Sequence, residues 1–339
     1  MELKQAQWWE PLPNGKILCT LCPRYCTIGK GQKGFCYIRE NIDDKLYSIG
    51  YGRPTGFAVD PIEKKPLSHF LPGTDVLSFG TAGCNLGCKF CQNWTMSKAK
   101  IDETYSVEAT PEDVVRLAKK YNAPSIAYTY NDPTIFGEYV IDISKLAGEE
   151  GIKSVMVTAG YIDKKAREDI YKYIDAANVD LKAFTETFYH KLTFSHITPV
   201  LDTLKWLKND TDVWLEITTL LIPGENDLPE EIQQMCTWIL ENLGDEVPLH
   251  FTAFHPDFKM RDKPPTSPST LNTARNIAIK SGIKYCYVGN VFNRESQTTY
   301  CPNCEEPLII RDWHSVIENK LVNGKCFKCG EKIAGVFQE

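Results

Sequence analysis

The sequence predicts an α/β fold: parallel βα units over residues 71–294, a cysteine-rich segment over 1–70 ahead of them, and a small metal-stapled ribbon over 295–339. Three observations carry this. From about residue 75, short apolar runs alternate with longer amphipathic stretches, the pattern of parallel βα units. The 13 cysteines of the 339-residue chain fall into groups of four, three and four, with two left over. The length suffices for a barrel-sized core with appendages, and 42% hydrophobic with 24% charged residues is an ordinary globular composition.

The first group is Cys19, Cys22, Cys26 and Cys36, a CxxCxxxC run followed by a cysteine after nine intervening residues. Gly29, Gly31 and Gly34 lie in this loop. Four thiols in a chain of this kind point to metal rather than disulfides. Their spacing suits Zn2+ and an auxiliary [4Fe-4S] cluster equally. GYGRPTGFAVDPIEKKPLSHFLPG then reads as a polar, Gly/Pro-punctuated approach to the α/β unit.

The strand candidates follow in order: DVLSFGTAG, PSIAYTYN, KSVMVTAGY, NVDLKAF, DVWLEITTLLIP, PLHFTAFHP and KYCYVGN. Thr110-Pro111-Glu112-Asp113 opens a helix with an N-cap, a first-turn proline and early acids. Further helices are expected near 133–149, 163–173, 196–208, 229–243 and 268–281. Six or seven such units are too few for a closed eight-stranded barrel. Sites of barrel folds gather at the C-terminal ends of their strands.

Directly after the first strand, TAGCNLGCKFCQNW places Cys84, Cys88 and Cys91 in a CxxxCxxC loop. Clusters of the [4Fe-4S] type normally take four cysteines. Three leave one iron for a small molecule, and S-adenosylmethionine (SAM) fills that place with its amino and carboxylate groups. Gly83 and Gly87 give a tight loop the backbone freedom it needs. A zinc site with its fourth ligand elsewhere is the alternative, although zinc sites usually come as paired CxxC knuckles. With Phe90 before the third cysteine, the loop resembles that of the radical SAM superfamily. The resemblance implies a partial (β/α)6 barrel, a [4Fe-4S] cluster on Cys84, Cys88 and Cys91, and SAM as cosubstrate.

It also implies roles for residues across the barrel. Asn131 and Asp132 stand where many of these enzymes carry a Gly-Gly-Glu turn that grips the methionyl amine. Asp180 and Lys182 match the DLK segment of pyruvate formate-lyase activating enzymes, whose lysine pairs with the SAM carboxylate; a charged pair in an apolar strand needs partners to offset its desolvation. Thr158 occupies the ribose-contacting turn, and His255, before Pro256, resembles the activase histidine near the SAM methionine. His250 has no such support. Gly224 and Asn226 in IPGEND are expected to shape a loop.

CPNC (301–304) and CFKC (326–329) are two knuckles separated by 21 residues, so Cys301, Cys304, Cys326 and Cys329 read as a Zn2+ ribbon. Rubredoxin-like iron would use the same ligands. Cys236 and Cys286 read as buried, idle cysteines. The N-terminal residues lack an apolar signal core, and no stretch approaches the roughly 18 apolar residues of a membrane span, so a cytoplasmic protein is expected. A net charge of −6 argues against a surface given over to nucleic acid.

The whole ordering, from the CxLCPRxC head through VDPIEKKPLSHFLPG, YTYNDPT, DLK, IPGEND, FHP and YVGN to the terminal CGEKIAGV, is similar to the radical SAM enzyme of the AmmeMemoRadiSam system, a family close to the pyruvate formate-lyase activating enzymes. That resemblance implies reductive cleavage of SAM to a 5′-deoxyadenosyl radical, hydrogen abstraction from a protein or small molecule, and an electron donor such as ferredoxin or flavodoxin. The substrate stays open, with a protein of the same system as one candidate. Two alternatives stand beside it: a glycyl-radical-enzyme activase, and a non-enzymatic metal-stapled binding module.

Overall fold

The apolar runs become a parallel sheet in the computed structural model, which describes residues 3–101 and 106–338. Among these residues the central sheet has eight strands, ordered in space as in the chain: β1 (Thr55–Pro61), β2 (Asp75–Gly80), β3 (Ser125–Tyr128), β4 (Lys153–Thr158), β5 (Ala176–Asp180), β6 (Trp214–Leu221), β7 (Leu249–Ala253) and β8 (Cys286–Gly289). From β2 to β8 every pairing is parallel, while β1 pairs antiparallel with β2. Such strands are covered on both faces. All four residues of β3 and all five of β7 are buried accordingly.

Six helices supply the crossovers: α1 (Pro111–Lys120), α2 (Gly137–Glu149), α3 (Lys164–Tyr171), α4 (Thr198–Asp210), α5 (Pro229–Leu243) and α6 (Pro268–Ser281). The start of α1 follows its sequence. Thr110 and Asp113 form a reciprocal capping box, Pro111 occupies the first turn, and Val114, Val115 and Ala118 turn inward. At α6 the Ser267 side chain caps the Thr270 amide, and Gly282 ends the helix at φ 113°, a left-handed conformation that favours glycine.

The sheet curls without closing, since β8 and β1 are its two ends and are not neighbours. Residues after β3 and residues of β8 nevertheless face one cavity, where Tyr130 and Val288 share a wall. This is the partial barrel the sequence implied, with one strand more. β1 lies in the stretch read as a polar approach, and its sequence hides it: Asp60 is its one buried residue, and Val59 is exposed. An antiparallel edge strand with glycine and proline carries no alternating apolar signal.

Two three-stranded sheets build the head: Lys4–Gln5, Lys45–Ser48 and Arg39–Ile42 in one, and Trp9–Pro11, Ile17–Cys19 and Thr27–Ile28 in the other. The head clamps the outer helices. Arg39 and Glu138 of α2 form a fully buried ion pair at 2.6 Å, and the Trp8 indole donates to Asp169 of α3 at 2.7 Å. At the other end the ribbon docks through Arg311, which is 2% exposed and donates to the Ser68 carbonyl at 2.6 Å and to Thr299 Oγ1 at 2.9 Å. Val336 exchanges backbone hydrogen bonds with His69 and Leu71, both at 2.7 Å. No helix among the described residues is long and apolar enough to cross a membrane.

Candidate functional site

β2 delivers the chain into the CxxxCxxC loop at the C-terminal edge of the sheet, and neighbouring elements fix that loop. Gly83 has φ +86°, and a Cβ there would strike the Cys36 carbonyl of the head, so only glycine fits. Asn131, in the turn after β3, donates to the Gly83 carbonyl at 2.8 Å and to Thr81 Oγ1 at 3.1 Å, and accepts from the Thr81 amide at 3.2 Å. Lys98 donates to the Leu86 carbonyl at 2.6 Å, and Asn85 to the Tyr161 carbonyl at 2.9 Å. Arg24 of the head donates to the carbonyls of Asn85 and Phe194.

Within this frame the sulfurs of Cys84, Cys88 and Cys91 line one cavity of about 160 Å³. Asn131, Asp132, Thr158, Asp180 and Lys182 line it too. These residues come from the ends of β3, β4 and β5, so the parallel register brings the ends of four successive strands to one place. The Leu86 amide approaches Cys84 Sγ at 3.4 Å, and Ser97 Oγ lies 3.1 Å from Cys91 Sγ.

The polar groups have defined partners. The buried Asp132 carboxylate accepts from the Ala159 amide at 2.9 Å, the Thr134 amide at 3.0 Å and Thr158 Oγ1 at 3.2 Å, and burial still pushes its pKa up. Lys182 meets Asp180 at 2.8 Å. Burial opposes its charge, but Asp180 and then Cys88 hold the ammonium above the usual lysine range. Burial pushes the Cys84 thiol up to about 11 and the Cys88 thiol up to about 12, against the pull of Lys182. Free of metal, these thiols stay protonated at neutral pH, and binding iron releases their protons. Three cysteine donors and an ammonium lining one polar-walled cavity fit an iron–sulfur cluster and an anionic group beside it.

His255 lies outside this set: its side chain is exposed beyond β7 and does not line the cavity. His250 pairs with buried Glu216 at 2.7 Å, and Glu216 also accepts from the Ser68 and His69 amides at 2.9 and 2.8 Å. It serves packing. Asn226 is fully buried, accepts from the Ile222 amide and donates to the Lys182 carbonyl, both at 2.7 Å, which shapes the loop beside the DLK segment.

Ser97, Lys98 and Arg24 went unnoticed in the sequence, and so did a second cavity of about 320 Å³. It shares Asn93, Thr129 and Tyr130 with the first and extends to Arg311, Trp313 and His314 of the ribbon. The one sequence signal for it is the Trp-His pair in the ribbon hairpin turn. In the ribbon itself Cys301 and Cys329 sulfurs lie 3.5 Å apart, Cys304 and Cys326 3.7 Å apart, and all four lie within 4.8 Å of one another. A tetrahedral ion with Zn–S bonds of about 2.3 Å sets its sulfurs about 3.8 Å apart. The donors fit such an ion.

Residues 79–239 match the family model of the Radical SAM superfamily. Over 336 residues the chain is 44% identical to an uncharacterised protein of Methanocaldococcus jannaschii, covering 98% of this chain and 99% of that protein. It is 25% identical over 201 residues to the pyruvate formate-lyase-activating enzyme of Clostridium pasteurianum, which spans 53% of this chain and 80% of the enzyme. Among solved structures it is similar to Streptococcus suis SuiB bound to precursor peptide SuiA, at a TM-score of 0.51 and 15% identity, over 69% of this chain and 54% of SuiB. This last likeness is one of fold.

Proposed function

The chain belongs to the radical SAM superfamily, and from that premise we propose that it is a radical SAM enzyme whose cluster is held by Cys84, Cys88 and Cys91, with one iron left to SAM. When bound, a reduced [4Fe-4S] cluster and SAM supply methionine and a 5′-deoxyadenosyl radical, which takes a hydrogen atom from a substrate. The observation that carries this reading is the convergence of the three thiols with Asp180 and Lys182 on one cavity. Lys182 offers its ammonium to the SAM carboxylate, while Asp180 holds that ammonium in place. Asn131 and Asp132 set the turn that would take the amine, and Thr158, fixed by Asp132, would take the ribose. The buried walls keep water from the radical. His255, exposed and not among the residues lining this cavity, carries no role in this reading.

For substrate, we take the chain as acting like the AmmeMemoRadiSam radical SAM enzyme, on a protein or small molecule of that system, with a one-electron donor of the ferredoxin or flavodoxin class. The adjoining cavity, walled by Arg311, Trp313 and His314 of the ribbon, supports a substrate seated between barrel and ribbon, and the ribbon cysteines take zinc. The likeness to the Clostridium pasteurianum activating enzyme favours a second reading, installation of a glycyl radical in a partner enzyme. The test is anaerobic: reconstitute with iron and sulfide, reduce, add SAM and assay 5′-deoxyadenosine. Wild type forms it and Cys88→Ala does not. A fully loaded wild type that makes none under strong reduction would overturn the proposal, and a glycyl EPR doublet in an added glycyl radical enzyme would select the second reading.

A further inference from the structure

The four cysteines of the head are not used by the radical site, and their arrangement differs from that of the ribbon. Cys19 ends the strand Ile17–Cys19, Cys22 and Cys26 lie in the turn that follows, and Cys36 precedes the strand Arg39–Ile42. Cys19, Cys22 and Cys36 are buried and Cys26 is half-buried. The chain folds back here, with the Cys19 amide donating to the Cys26 carbonyl at 2.9 Å. The loop also turns Cys26 back toward the Cys36 end: its Sγ stands 3.8 Å from where a Cβ on Gly34 would lie.

The two metal classes make different demands on such a set. One tetrahedral zinc draws its sulfurs to about 3.8 Å from each other, and the ribbon of this same chain meets that demand. A cubane instead spreads its four thiolates over four irons at separate corners, so the sulfurs stand well apart. Among the described residues, which include all four head cysteines, no three head sulfurs lie within 4.8 Å of one another. The same holds for Cys84, Cys88 and Cys91. The head is therefore spaced like the cluster loop and unlike the zinc ribbon, with four cysteines where the loop has three.

We propose that Cys19, Cys22, Cys26 and Cys36 bind a second [4Fe-4S] cluster, closed by four protein ligands and seated directly behind the loop of the first. Contact between the two segments is continuous. The Cys36 carbonyl abuts Gly83, the residue before Cys84. Arg24, between Cys22 and Cys26, donates to the carbonyl of Asn85, the residue after Cys84.

The experiment uses the full chain with Cys84, Cys88 and Cys91 all replaced by alanine, reconstituted anaerobically with iron and sulfide in the presence of zinc. Iron, acid-labile sulfide and zinc are then counted, and EPR is recorded after dithionite reduction. The expected result is about four irons, about four sulfides and about one zinc per chain, with an S = 1/2 signal. About two zincs and no labile sulfide, or no metal beyond the ribbon zinc in a folded protein, overturns the proposal. Should the triple variant not fold, the wild type decides: about eight irons per chain support the second cluster, and about four irons with about two zincs refute it. That last outcome leaves the radical SAM reading standing. Conversely, a wild type that binds only the four irons the triple variant retains removes the radical cluster and keeps the head cluster.

Discussion

Lys182 Nζ lies 2.8 Å from Asp180 Oδ2, in the cavity that Cys84, Cys88 and Cys91 also line. Lys182 is the more enclosed partner, 14% exposed against 35% for Asp180. Replacing it with methionine keeps volume and removes charge. The exposure of Asp180 lets water solvate the orphaned carboxylate, so the fold should lose about 1 kcal/mol or less. Affinity for SAM should fall by about tenfold or more, equivalent to about 1.4 kcal/mol. Equilibrium binding of SAM to reconstituted Lys182→Met, with circular dichroism for the fold, checks both; undiminished affinity would remove Lys182 from the site.

Asn131 acts one step further from SAM. Its amide is buried and makes three hydrogen bonds to Thr81 and Gly83, so leucine there strands a buried carbonyl and a buried amide at about 1–3 kcal/mol for each. We expect Asn131→Leu to melt lower and to hold less iron after reconstitution. Asn131→Asp keeps the acceptor for the Thr81 amide but turns a carboxylate oxygen toward the Gly83 carbonyl, and should retain iron little better. Iron per chain and the melting midpoint are the readouts, and a variant that loads iron as wild type does would show that the loop holds itself.

What the sequence discloses of this molecule is what lies close along the chain. The N-cap and early acids at Thr110-Pro111-Glu112-Asp113, the proximity of Asp180 to Lys182 and the CxxxCxxC spacing are all local, and each recurs in the structure. β1 was lost because an edge strand needs no apolar face. The grip of Asn131 on Gly83 spans 48 residues, that of Arg24 on Asn85 spans 61, and that of Arg311 on Ser68 spans 243. No periodicity in the chain encodes such pairs. His255 illustrates the converse: its place in the FHP motif resembles a family position, while its exposure is set by the loop that carries it.

If the proposed reading holds, the ribbon bears on the substrate and not on SAM cleavage. None of the residues around the first cavity belongs to it, whereas Arg311, Trp313 and His314 line the second. Cys304→Ser removes one of the four cysteines proposed to hold zinc, from a unit with little core of its own. Zinc should fall by about one per chain, and uncoupled formation of 5′-deoxyadenosine should remain measurable. Turnover of the true substrate should fall by far more. Zinc analysis beside a 5′-deoxyadenosine assay distinguishes these, and complete loss of SAM cleavage in a variant that keeps its iron would place the ribbon inside the radical site.

His69 ties the barrel to the end of the chain and makes that tie sensitive to acid. Its ring is fully buried, with Nδ1 at 2.6 Å from the Ala334 carbonyl and Nε2 at 2.5 Å from the Tyr287 hydroxyl. A carbonyl only accepts, so Nδ1 carries a proton; in the neutral ring Nε2 then accepts from the Tyr287 hydroxyl. Burial pushes its pKa down to about 4 from an ordinary 6.5. The unfolded chain therefore takes up a proton below about 6.5 that the folded protein refuses until about 4. The resulting stability is fully present above 6.5 and is lost as pH falls toward 4, by roughly 3 kcal/mol at most. Glutamine at this position does not titrate. His69→Gln should melt below wild type at pH 7.5, through strained or lost hydrogen bonds, and the gap should close as pH approaches 5. Because both proteins carry the same ribbon, release of its metal in acid cancels from the comparison. Melting curves of the pair from pH 7.5 to 5 test this, and a gap that stays constant over that range would mean that the His69 proton plays no part in holding the ribbon.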